Sequence, residues 1–181
     1  PLVDALPRAA RLEVTGVYAQ YCDFVWRTLQ HLGARGADLE DLTQEVFVVV
    51  HRKLGSFDGN SRVTTWLFGI CLRVVARHRR RAYFRFERQE EEPPERVDAS
   101  TPEDRASTNE RALLLERALE KLGLEHRAVF VLFEIEGHRC EDIAETLGVP
   151  VGTVYSRLFK ARKHVAKALE RASRSTRGGA P

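Results

Sequence analysis

Three stretches of this 181-residue chain carry side chains whose types and spacing suit chemistry, and in each the chemistry is binding. The sharpest is EDIAETLGVPVGTVYSRLFKARKHVAKAL, residues 141–169. At helical spacing Val154, Leu158, Ala161 and Val165 form one apolar row. Thr153, Tyr155, Ser156, Arg157, Phe159, Lys160, Arg162 and Lys163 are left as a hydroxyl-bearing, basic and partly aromatic surface. A helix that enters the major groove needs short polar or aromatic side chains at base edges and flanking cations at phosphates. The second stretch holds Arg73, Arg77, Arg79, Arg80, Arg81, Arg85 and Arg88, with Tyr83, Phe84 and Phe86 between them. Aromatics stack on bases while arginines pair with phosphates, so this mixture suits a nucleic-acid strand. Complementing a helix dipole needs fewer charges than these. The third stretch places Asp38, Glu40, Asp41, Gln44 and Glu45 on a helix whose other face is apolar.

Catalysis finds no comparable support. There is no nucleophile elbow, no glycine loop for phosphate and no carboxylate pair suited to a cleft. The expectation is a non-enzyme without a cofactor. Cys71 and His78 lie seven residues apart, with His51 elsewhere, which is too far for one ion, so no metal is expected. Cys22, Cys71 and Cys140 are odd in number and form no CxxC pair, as suits thiols in a reducing compartment. No apolar run approaches about 18 residues, so membrane insertion is not expected. No basic segment followed by an apolar one opens the chain, and the expected location is cytoplasmic. The net charge of +3 says little, and its uneven distribution says more.

The elements that must position these side chains read as helices. The expected fold is all-α: two small helical domains joined by a flexible linker, the C-terminal one a helix-turn-helix. The first domain spans residues 14–88 and the second 109–173. Between them, residues 89–108 are acidic and carry Pro93, Pro94 and Pro102, too polar to offset the entropy of ordering. Residues 174–181 are expected to be a disordered tail. In the first domain Tyr18, Tyr21, Cys22, Val25, Trp26 and Leu29 make one amphipathic stripe. Leu42, Val46, Val49, Val50 and Leu54 make another, with Asp38 as N-cap; the β-branched run 46–50 leaves a buried strand as the alternative. After the polar loop SFDGNSRVT, a third helix begins near Thr64 or Thr65 and carries Trp66, Leu67, Ile70, Val74 and Val75. The second domain is read as helices at 113–122, 126–136 (closed by Gly137) and 141–147, a turn at Gly148-Val149-Pro150, and a last helix at 151–173. Ala144 is small enough for close crossing, and Gly148 supplies the positive φ of a tight interhelical turn.

In this order DLEDLTQEVFVVVHRKLGSF, TTWLFGICLRVVARHRRR and EDIAETLGVPVGTVYSRLFKARKHV resemble the extracytoplasmic-function (ECF) class of bacterial RNA polymerase sigma factors. The resemblance runs from about Tyr18 to Leu169. It implies that the first domain is region 2, its 38–54 helix docking on the clamp helices of core RNA polymerase through Asp41, Gln44, Glu45 and Phe47. Loop 57–65 and the following helix would melt and hold the −10 promoter element, through Arg62, Trp66, Arg73, Arg77, Arg80 and Arg81. The second domain would be region 4, reading the −35 element through Thr153, Tyr155, Ser156, Arg157, Phe159, Lys160 and Lys163. Many members are held inactive by an anti-sigma factor, which is the further partner implied beside core polymerase and promoter DNA. The chain departs from the family at Arg73, where Asn is usual, and at Arg77, often acidic; a Pro and Gln common near Glu125 and His126 are also absent.

Two other functions fit parts of the pattern. One is a stand-alone helix-turn-helix regulator with the first domain as a sensor. The other is a protein-interaction module with vestigial DNA binding. The acidic face at Gln44 and Glu45 favours the sigma factor over both.

Overall fold

Helices gather into two compact units, one on each side of residues 89–109. The structure is a computed structural model describing residues 13–59, 61–88 and 110–177. The linker read at 89–108 and the last four residues of the predicted tail lie outside these, as do the side chains of Arg85, Phe86 and Arg88.

The first unit is α1 (Val14–Leu32), α2 (Gly36–Lys53) and α3 (Val63–Arg88), each packed on the other two. In α1, Val17, Tyr21, Val25, Leu29 and Leu32 recur every three or four residues and are all buried. Gly33, at φ 99°, ends the helix, and the Ala34 N–H reaches back 2.9 Å to the Leu29 carbonyl, a Schellman closure. α2 begins two residues before the expected cap: Arg35 is its N-cap, and Asp38 lies in its first turn. The run 46–50 is helical, not a strand. Leu39, Leu42, Val46 and Val50 then bury one stripe, and that burial outweighs a propensity cost of at most about 0.7 kcal/mol per β-branched residue. A 3-10 turn (Leu54–Ser56) stops α2, and α3 starts at Val63, slightly ahead of Thr64. Leu67, Phe68, Ile70, Cys71, Val74 and Val75 are its buried face.

The second unit comprises α4 (Glu110–Glu120), α5 (Leu124–Phe130), α6 (Cys140–Leu147) and α7 (Val151–Arg177). α4 begins three residues before the expected start and ends two before the expected close. α5 continues into a π turn (Val131–Ile135), where the Glu136 N–H donates to the Val131 carbonyl at 3.0 Å, five residues back. Gly137 then turns the chain at φ 70°. α7 runs past residue 173 to Arg177, so residues 174–177 are helical and not disordered: no Gly or Pro interrupts the chain before Gly178. It packs on α4, α5 and α6. Among the described residues there is no strand, and no helix is long and apolar enough to cross a membrane.

Candidate nucleic-acid interface

The α6–α7 pair has the geometry of a helix-turn-helix. Ile143 is buried on α6, while Ala144 at the crossing is half-buried. Gly148 adopts φ 64°, and the Val149 N–H donates 3.0 Å to the Ala144 carbonyl. Pro150 ends the turn, its carbonyl accepting the N–H of Thr153 at 2.8 Å. Val154, Leu158, Ala161 and Val165 are all buried, as their spacing predicts. Each Val or Leu contributes about 1.5–3 kcal/mol by burial, which fixes the rotation of α7 and turns its opposite face to solvent.

That face is narrower than its sequence suggests. Ser156, Phe159, Lys160 and Lys163 are exposed, Phe159 at 69%. Neither lysine forms a salt bridge among the described residues. The Ser156 hydroxyl donates to the Thr153 carbonyl at 2.9 Å, and Thr153 itself is half-buried. Tyr155 is 54% exposed and shares a hydrogen bond with Cys140 at the start of α6; the Glu141 carboxylate, with smaller contributions from Cys140, holds its phenol above the usual range. Burial, then Glu141, likewise raises the Cys140 thiol. The two arginines sit on the edges of the face. Arg157 is ion-paired with Glu125 of α5, and its side chain is only 19% exposed. Arg162 pairs with Glu134 and lies 5.0 Å above the Phe133 ring.

In the first unit, Arg62, Arg73, Arg80 and Arg81 are exposed. Tyr83 and Phe84 stand out at 61% and 54% exposure, edge to face with centroids 5.9 Å apart. Trp66 is half-buried against Phe57, at 5.0 Å. Arg79 donates 2.8 Å to the Leu32 carbonyl, satisfying an acceptor at the C-terminal end of α1. Cys71 is buried, and burial pushes its thiol well up. His78 faces Asp38 across 3.4 Å.

Two expected contacts have other partners. Phe47 is buried, with its ring 4.7 Å from Tyr18, so it supports α2 from inside and the ring that shows is Tyr18, 52% exposed. Glu45 turns sideways into an ion pair with Arg77. Asp41, Gln44 and Val48, the last 48% exposed, lie on the solvent side of α2. The sequence reading did not single out Tyr18 or Val48 as exposed on this side. Tyr18 belongs by spacing to the amphipathic stripe of α1, and its position one residue after buried Val17 is the signal that it turns outward.

Residues 17–85 match the model of Sigma-70 region 2, and residues 112–165 that of Sigma-70, region 4. The chain is 38% identical over 165 residues to the ECF RNA polymerase sigma factor SigE of Mycolicibacterium smegmatis, covering 87% of this chain and 62% of that protein. It is 34% identical over 142 residues to the RNA polymerase sigma-H factor of Pseudomonas aeruginosa, covering 74% of each. Identity is again 34% to the ECF RNA polymerase sigma-E factor of Escherichia coli K12, over 71% of this chain and 72% of that one. Among solved structures, the sigma factor RpoE in complex with the anti-sigma factor NepR from Bartonella quintana is similar in fold: TM-score 0.68, 20% identity, 86% of this chain and 96% of that one. CnrH in complex with the cytosolic domain of CnrY follows at TM-score 0.58 and 24% identity, covering 87% and 88%. Both halves of the sequence thus match in order, and the chain belongs to the ECF class of RNA polymerase sigma factors.

Proposed function

We infer that this sigma factor docks on core RNA polymerase through α2 and directs initiation by reading both promoter elements. Residues 14–88 act as the polymerase and −10 domain, residues 109–173 as the −35 domain, and residues 89–108 as the tether. Asp41 and Gln44, joined by Tyr18 and Val48, meet the clamp helices. Arg62, Trp66, Arg73, Arg80 and Arg81 hold the melted −10 strand, with phosphates paired to guanidinium and bases stacked on Trp66. Ser156, Phe159, Lys160 and Lys163 read the −35 duplex, with Thr153 and Tyr155 on its near edge. Phe159 suits an apolar contact and the lysines suit phosphates.

The observation that carries this reading is the outward strip on α7, held in one rotation by four buried residues. The outward lysines are few. That suits a protein whose promoter affinity is supplied mostly in complex with polymerase. An anti-sigma factor is the expected regulator, a reading supported by the NepR complex of the similar fold. The protein has no catalysis of its own and acts in the cytoplasm.

The test is binding to core polymerase, followed by run-off transcription. Promoter-specific transcripts that need both the chain and core support the reading. Tight, specific duplex binding by the chain alone, with no effect of core, points instead to a stand-alone regulator.

A further inference from the structure

Arg157 is the cation on α7 nearest the reading strip that is not free to use its charge. It follows Thr153 by four residues and precedes Lys160 by three, so it stands on the same side of the helix. Its guanidinium points toward α5, where Nη2 meets Glu125 Oε2. The Glu125 side chain is 69% exposed, so the pair lies at the protein–water boundary where a duplex on α7 would approach. Arg162 is tied to Glu134 on the opposite edge.

We propose that Glu125 is a determinant of DNA affinity and contact choice. Its carboxylate competes with a promoter phosphate for Arg157. This rests on the reading of α7 as the −35 helix. A guanidinium fork fits carboxylate and phosphate equally well, so the two anions compete for one donor set. The guanidinium is 19% exposed and the carboxylate 69%, so the pair is only partly screened by water and holds Arg157 away from a duplex phosphate. While it persists, the strip presents Lys160 and Lys163 alone, and the duplex meets a carboxylate at its edge. Glu125 thereby lowers affinity for any duplex and leaves discrimination to Ser156, Phe159 and Lys160. Release of Arg157 adds one phosphate contact.

A double-mutant cycle on the full chain tests this, with Glu125→Gln, Arg157→Gln and both together. The probe is a mixed-sequence duplex of two helical turns, titrated by fluorescence anisotropy at several salt concentrations. Glu125→Gln is expected to tighten binding about tenfold at low salt and to steepen the log–log salt slope by roughly 0.9. In the Arg157→Gln background the same change is expected to give less than about threefold, because only long-range repulsion remains. A gain that persists undiminished without Arg157 overturns the proposal, as does unchanged or weaker binding by Glu125→Gln. Glu125→Asp keeps the charge and shortens the reach; it is expected to recover part of the gain, and a wild-type affinity with an unaltered salt slope argues against competition for Arg157. Circular dichroism confirms that each variant folds. Lys160→Gln separates the two levels. If it leaves duplex binding untouched, the reading of α7 falls and the proposal with it. If it weakens binding while the cycle shows no coupling, only the role of Glu125 falls.

Discussion

Each unit offers one long helix with a basic face, and in each an arginine of that face is held by a glutamate 32 residues away. The surroundings differ. In the first unit Arg77 and Glu45 are 42% and 30% exposed, and the Arg77 Nε is buried with no hydrogen-bond partner. Its glutamate also belongs to α2, the helix read as facing polymerase. In the second unit the exposure is split: Glu125 is 69% exposed and Arg157 only 19%. Similar chemistry thus carries different weight. The Arg77–Glu45 pair ties two functional helices together and is costly to break from one side. The Arg157–Glu125 pair holds a largely covered guanidinium with a largely exposed carboxylate, at the edge of the α7 strip.

The largest effects that sharpen this comparison come from the two cores. Phe68→Ala should cost the first unit about 3–5 kcal/mol, and Leu158→Ala the second about 2–5 kcal/mol. Trp26 and Trp66 are the only tryptophans and both lie in the first unit, so urea unfolding followed by their fluorescence reports that unit. The Phe68 variant should shift this transition and the Leu158 variant should not; equal shifts would break the two-unit comparison.

Next in size is Glu45→Gln, which leaves Arg77 unpaired in a half-buried place. It should cost about 1–2 kcal/mol, with most of the loss recovered when Arg77→Met is added. Glu125→Gln should change stability by less than about 0.5 kcal/mol. Equal costs for the two glutamates would show that the exposure of the carboxylate, 30% against 69%, does not separate the pairs. Gly148→Ala tests the interhelical turn. An added Cβ meets nothing within 4 Å, so the strain of a positive φ alone should cost roughly 1–2 kcal/mol, read by thermal melting of the helical signal.

The smallest effect is chemical. Burial raises the Cys71 and Cys140 thiols, while Cys22 is half-buried. A folded-state thiol with a raised pKa keeps its proton when the unfolded chain loses it. Stability should therefore hold below the ordinary thiol range and decline as pH rises through it. Alkylation at mildly basic pH should label Cys22 first, and rapid labelling of Cys71 in the folded chain would contradict its burial.

The helical content and the inward row of α7 were legible because burial follows a period that can be counted. Gly137 and Gly148 were legible as turn residues, and both adopt positive φ. The long-range pairs were not. Spacing says which residues share a helix face, but only packing brings Glu45 to Arg77 or Glu125 to Arg157. For the same reason spacing places Arg157 on the basic surface and Glu45 on the acidic face without their partners. The resemblance implies Phe47 at the polymerase contact, while in the structure its ring is buried 4.7 Å from that of Tyr18 in α1. Asp38 resembled a cap by residue type, but Gly36 carries the chain into α2 two residues sooner.

The most direct test of the central claim, two DNA-facing helices serving one polymerase-bound chain, is run-off transcription with core RNA polymerase on a promoter library. The account predicts defined start sites with the wild-type chain. It predicts loss of more than about tenfold when Lys160 and Lys163 are both changed to Glu, with core binding retained. Full transcription by that variant, or no transcript from a wild-type chain that binds core, would contradict it.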